Sequence, residues 1–420
     1  MSSTVVNVSR VRTSTTAENL KDCLIDVMQQ WEVLEKVSQM TTDNAKNIKK
    51  AVELVPKFHV PCFAHCLNLV ITHTLEHFDG EKGRAPLKQA REKVRNIVSY
   101  FHSSAKANRK LEEAQISMFG PNPGPLKLIQ EVLTRWNSTY FMFMRFIELR
   151  PLVNSVLTDD EIGRGNLAIF DPEILQVIQR AVNAFEPIQQ ASEEMCGDKY
   201  PTISMVLPIA QLLMETTKEM SSKCEISAKV NQQLYKYFGQ AEDNYQLAAA
   251  SFLDPRFKQY VFSTSSDRTC RVTGATSLDR VKRGLMAEFR FRPADPVLPV
   301  PSTPTPTSVT KRPSLWARHD DRVAAKIAQQ AIPVNQRQVE MDIYLREPPI
   351  DRKQNPLVWW KMQARVMPEM YRLAKKYLCC PATSAPSERV FSKAGELISQ
   401  RRANISDENI QMVLFLNKNL

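Results

Sequence analysis

Glycine is scarce in this chain, with 11 in 420 residues, against an average usage of about 7%. Architectures built from many tight turns consume glycine wherever the backbone must take φ > 0, so the shortage argues for long helices. A disulfide framework is missing too: eight cysteines lie scattered without pairing pattern. That suits free thiols in a reducing compartment, and no secretory signal pattern opens the chain. No apolar run approaches the roughly 20 residues of a membrane span, so the expectation is a soluble intracellular protein without a membrane partner. An acidic excess is absent as well. Lys and Arg number 56 against 45 Asp and Glu, giving net charge +11 and pI about 9.2. That balance favours a polyanionic partner bound with strong salt dependence; the plainer reading is a basic protein that a nucleic-acid-rich environment tolerates.

What is present is periodic. Residues 5–12, VVNVSRVR, alternate apolar and polar side chains as a half-buried strand does. Ser14 to Thr16 can cap a helix that begins at Ala17 and carries a stripe of Leu20, Cys23, Leu24, Val27 and Met28. Residues 33–40 read as a strand that delivers Asp43, and a short helix, a strand over 58–63 and a helix over 64–78 follow. Alternation of this kind predicts a parallel or mixed sheet covered by helices. From about residue 88 to 290 the apolar spacing is helical almost throughout. Six prolines and no glycine over 293–310 read as an extended linker.

Three segments together resemble the hAT superfamily of DNA transposases. Near the C-terminus stand Trp359-Trp360, Met367-Pro368, the run Pro381-Ala-Thr-Ser-Ala-Pro-Ser-Glu-Arg-Val-Phe-Ser392 and a closing apolar helix, similar to the family's dimerisation region. Residues 41–70, with Cys62 and His65, resemble its second catalytic-strand segment and Cys-x-x-His element; residues 131–146 resemble its Arg-Trp segment, with Glu131 where Asp is usual. The fold class implied is an α/β ribonuclease-H-like core, incomplete at its N-terminus and interrupted by a large all-α insertion, predominantly helical overall. The implied domains are 1–85, the N-terminal part of the core; 86–292, the insertion; 293–353, a Pro-rich linker and irregular insert with a short helix; and 354–420, the dimerisation region completing the core.

The resemblance implies three catalytic carboxylates. Asp43 matches the second and Glu388 the third, whereas Asp22 and Asp26, nearest to the place of the first, fall inside the helical pattern. Neither the strand bearing the first Asp nor the BED zinc finger that often precedes this core is expected here. The expectation is therefore a domesticated, non-enzymatic protein of the nucleus, with Asp43 capping a helix and Glu388 paired locally. An active transposase or nuclease fragment and a pure protein-interaction scaffold stand as alternatives.

Cys62, His65, Cys66, His73 and His77 have spacings that zinc sites use, but His65 to His73 lie on a helix whose apolar side faces a sheet. Cys62 and His65 are expected as packed structural residues, and no metal, cofactor or small-molecule substrate is expected. Arg135 and Trp136 correspond to the family's DNA-proximal segment, where an aromatic side chain can stack on a base; an ordinary anchoring tryptophan is the other reading. Arg91, Lys93 and Arg95, in the basic stretch 85–110, are candidate non-specific DNA contacts, or a solvated face. Trp359, Trp360, Phe391, Val413, Leu414, Phe415 and Leu416 are the candidate homodimer residues.

Overall fold

The computed structural model describes residues 5–8, 11, 14–80, 86–122, 124–132, 136–168, 170–197, 201–262, 276–289, 336–398 and 406–419. The protein is predominantly helical, with one sheet of two strands among the described residues. It divides into two compact units, residues 1–251 with 378–420, and residues 252–377. Part of the expected linker, residues 293–335, lies outside the described residues. The units cut across the contiguous domains expected from the sequence.

In the larger unit, α1 (Ala17–Gln30) starts where Thr16 Oγ1 accepts the Asn19 N–H at 3.3 Å. Strand β1 (Gln39–Thr42) pairs in parallel with β2 (Phe58–Pro61), Gln39 opposite Phe58 and Thr42 opposite Pro61. Helix α2 (Lys46–Glu53) connects them and buries Ala51 and Val52. The strand expected over 33–40 is therefore shifted toward Asp43, because residues 34–36 are turn. The strand expected over 5–12 is not found in its described part. Residues 5–8 carry no ladder, and Val5 instead exchanges both backbone hydrogen bonds with the Asn419 side-chain amide, at 2.8 and 2.7 Å.

A helical stack follows: α3 (Phe63–Gly80), α4 (Pro86–Ser103), α5 (Ala105–Phe119), α6 (Trp136–Leu157), the single turn α7 (Gly165–Ala168), α8 (Pro172–Met195), α9 (Val206–Ser221) and α10 (Glu225–Phe238). Its core includes Phe101, Phe143, Phe146 and Phe185, each at most 1% exposed. Polar groups inside are satisfied locally. Asn231 Nδ2 donates to Met214 O and Thr217 Oγ1 at 2.7 and 2.8 Å, tying α10 to α9. After α11 (Tyr245–Leu253), the unit is completed by the two C-terminal helices introduced below.

The smaller unit contains α12 (Ser277–Glu288), α13 (Gln336–Arg346), α14 (Pro356–Gln363) and most of α15 (Pro368–Leu378). Its hub is the segment 252–258, FLDPRFK. The Trp360 indole N–H donates to Leu253 O at 2.7 Å, and the Tyr344 hydroxyl donates to Phe252 O at 2.7 Å. Asp254, fully buried, takes Arg256 Nε and Nη2 at 2.9 and 2.7 Å. Lys258 is 1% exposed and sits in the left-handed region at φ 50°. Its ammonium donates to Tyr344 O at 2.7 Å and to Glu347 O, closing the C-terminal end of α13, where carbonyls lack intrahelical partners. Burial pushes this ammonium down to about 8.

Candidate functional site

Three candidate regions can be built up from their residues, the first around Cys62. Its Sγ accepts the N–H of Ser384 at 3.3 Å and of His65 at 3.4 Å, its own N–H donates to Thr42 O at 2.9 Å, and its side chain is fully buried. The Phe63 N–H donates to Ala382 O at 2.8 Å. One buried thiol thus joins the end of β1, the start of α3 and the entry to α16 (Ala385–Ile398). A small side chain with a soft acceptor fits here because several backbone donors converge at a buried point. His65 is half-buried beside it.

This joint brings the segments of Asp43 and Glu388 to the same region. Asp43 Oδ1 accepts the Ala45 N–H at 3.3 Å, at the entry to α2, while Glu388 Oε1 accepts the Ser384 hydroxyl at 2.7 Å. Two-metal phosphoryl transfer needs several hard oxygen ligands. Among the described residues no group of three or more His, Cys, Asp or Glu stands together. Cys66, near the same strand end, accepts from Asn44 Nδ2 at 3.1 Å, and burial pushes its thiol up to about 11.

The second region is the basic stretch of α4, two of whose arginines are ion-paired. Arg91 Nη2 pairs with Asp79 at 2.8 Å, and Arg95 Nε donates to Glu131 at 2.8 Å. Glu131 is buried, its side chain 2% exposed, and also accepts from Thr139 Oγ1 at 2.5 Å. Arg91 and Arg95 are thus engaged in ion pairs that hold the loop before α6, since a buried carboxylate claims the cations nearest to it. Lys93 Nζ lies 4.4 Å from the Phe170 ring centroid. Arg135 lies outside the described residues, and Trp136 opens α6. The sequence signal missed was Glu131 itself, whose burial made it the organiser of this cluster.

The third region is the C-terminal pair of helices, α16 and α17 (Asp407–Asn419), joined by Lys393 Nζ to Asn417 Oδ1 at 2.6 Å. Phe391 is 64% exposed, Met412 60%, Val413 45% and Leu416 43%. Residues 412, 413 and 416 share one face of α17. Leu414 points the other way and is buried. Phe415 stacks on Trp31, ring centroids 6.3 Å apart. Of the candidate dimer residues, Trp360 and Leu414 are corrected to the interior of the single chain. Trp360 is fully buried, with its indole N–H satisfied within its own unit, and Trp359 packs edge-on against it at 4.9 Å.

Residues 340–420 match the hAT family C-terminal dimerisation region, and residues 60–170 match the ZBED1 RNase-like helical domain. The chain is thus similar to hAT-family proteins at its C-terminal dimerisation region and to an RNase-like helical domain over residues 60–170. Its relatives extend over most of its length. It is 24% identical to human zinc finger BED domain-containing protein 4 over 92% of this chain and 31% of that protein. Identity is 22% to the putative AC transposase of Zea mays (98% and 52%) and 24% to the putative transcriptional regulator tpeD of Talaromyces stipitatus (96% and 48%). The chain thus spans about a third to a half of these curated relatives.

Proposed function

We propose that this chain works by self-association through its C-terminal helices and not by catalysis, as a domesticated hAT-derived nuclear factor. The observation that carries the reading is the coincidence of the matched dimerisation region with exposed apolar side chains on both C-terminal helices, Phe391 on one and Met412, Val413 and Leu416 on the other. Monomers seldom leave such faces open to water, and a second copy offers a self-complementary cover. The parallel β1–β2 pair with its flanking helices corresponds, in this reading, to part of a ribonuclease-H-like core. Asp43 and Glu388 serve as local caps, engaged by Ala45 N–H and Ser384 Oγ. Sedimentation velocity tests self-association: a chain that stays monomeric at tens of micromolar refutes it. Incubating the chain with duplex DNA and Mg²⁺ or Mn²⁺ tests the absence of catalysis. Metal-dependent nicking that Asp43→Asn abolishes would return the chain to the active transposases.

A second element of the reading is non-specific DNA association, supported by where the charge sits. Residues 252–377 hold 23 Lys and Arg against 12 Asp and Glu, while the rest of the chain holds 33 of each. The whole excess of +11 therefore belongs to the smaller unit, so that unit, and not α4, is the proposed polyanion contact. Duplex affinity should fall steeply with salt. Binding that is absent at low salt, or that persists unchanged at high salt, removes this element.

A further inference from the structure

Helix α14 and the turn after it present two unlike faces. Pro356, Trp360 and Met367 turn inward and are buried. On the opposite side Val358 is 55% exposed, Met362 68% and Val366 55%. These three recur every four residues, and Lys361 and Arg365, both exposed, recur at the same step along one edge of the stripe. The usual outward face of a helix is polar. This one is an apolar stripe with a basic border, and neither Lys361 nor Arg365 has a carboxylate partner among the recorded ion pairs of the described residues.

We propose that this face is a docking surface for an acidic amphipathic helix of another protein, whose apolar residues at four-residue steps cover Val358, Met362 and Val366 while its Asp and Glu meet Lys361 and Arg365. Charge decides the occupant. A second copy of this chain set antiparallel by a two-fold axis brings Lys361 and Arg365 against their own equivalents, and like charges so placed oppose the contact; set parallel, it offers them only the other edge of residues 356–367, which contain no Asp or Glu. A nucleic acid satisfies the two cations but leaves the stripe uncovered, since phosphates offer it no apolar surface. An acidic helix satisfies both features, in the manner of helices that lay an apolar face on a partner surface.

The test uses the full chain and a fluorescent synthetic peptide of about 15 residues, with Leu at four-residue steps and Asp or Glu between, read by anisotropy alongside a sequence-scrambled peptide of equal charge. The expected result is binding of the patterned peptide alone. Val358→Ser with Met362→Ser should weaken it roughly tenfold or more, the loss of about 1.4 kcal/mol or more, and Lys361→Glu with Arg365→Glu should weaken it comparably, both variants sedimenting like wild type. Equal binding of the scrambled peptide overturns the proposal. So does loss of binding in the charge variant with none in the Ser variant, which marks a simple polyanion surface. A Ser variant that loses self-association also overturns it, since the face then lies between copies of the chain.

Discussion

An outward residue of α16 and an inward residue of α17 should fail in opposite ways when truncated. Phe391 on α16 and Val413 on α17 face outward, 64% and 45% exposed, whereas Leu414 is 2% exposed. A phenylalanine side chain carries on the order of 200 Å², so the exposed share of Phe391 is roughly 130 Å². At about 25 cal/mol per Å² its burial in an interface is worth at most ~3 kcal/mol per copy. Taking ~2 kcal/mol as the part that survives the costs of association, Phe391→Ala in both copies removes ~4 kcal/mol, raising the dimer dissociation constant roughly a thousandfold. The urea midpoint of the monomer should hardly move. Leu414→Ala should do the reverse, costing the fold ~2–5 kcal/mol through transfer and cavity losses. Sedimentation velocity over a concentration series, paired with urea unfolding under dissociating conditions, separates the two. An unchanged dissociation constant for Phe391→Ala, with wild type dimeric, would show that the exposed face lies outside the interface and refute the reasoning.

Other consequences are equally specific. Glu131→Ala leaves Arg91 and Arg95 without the buried carboxylate between them and should cost ~3–5 kcal/mol, seen as a lower urea midpoint; a loss under ~1 kcal/mol would argue that the cluster is solvated. Trp360→Phe keeps most of the ring but strips Leu253 O of its donor, for an expected loss of ~1–3 kcal/mol by calorimetry. Lys258 gives a pH signature. Its folded pKa of about 8 lies below the unfolded value of ~10.4, so the unfolded chain binds more protons between them and stability rises with pH through that window by up to ~3 kcal/mol. Lys258→Met should flatten that rise in unfolding curves measured from pH 7 to 10, and an equal slope in both chains would dismiss the assignment. Cys379, exposed, should react with a thiol reagent while Cys380, whose thiol burial pushes up to about 12, stays protected in the native chain.

Local signals were legible where they depended on near neighbours. Thr16 capping α1, a strand over 58–63, found at 58–61, and a helix over 64–78, found at 63–80, were written in periodicity and capping residues, whereas the strand read over 33–40 forms only at 39–42. The failures share a cause, which is dependence on distant partners. Residues 5–8 have the alternation of a strand but meet the Asn419 side chain and no strand; alternation reports a half-buried extended chain, not what it pairs with. Arg91 and Arg95 look like an open basic face until Glu131, 36 residues past Arg95, folds back onto them. Trp360 carries the apolar weight of an interface anchor, yet Leu253 O, 107 residues earlier, satisfies its indole and fixes it inside. Around Cys62, spacing suggested a packed residue but could not show that Ser384, 322 residues later, donates to its sulfur.

The uneven partition of charge makes ionic strength a selective control. The apolar helices α16 and α17 belong to the part of the chain whose charges balance, and all the surplus cation lies in residues 252–377. Around 0.15 M salt the screening length is ~8 Å and at 1 M ~3 Å, so added salt erodes attraction to polyanions while apolar association is held or strengthened by excluded salts. On the reading proposed above, partner occupancy and subunit number would then be set independently in one tube, and a salt titration that releases an anionic ligand should leave the oligomer standing.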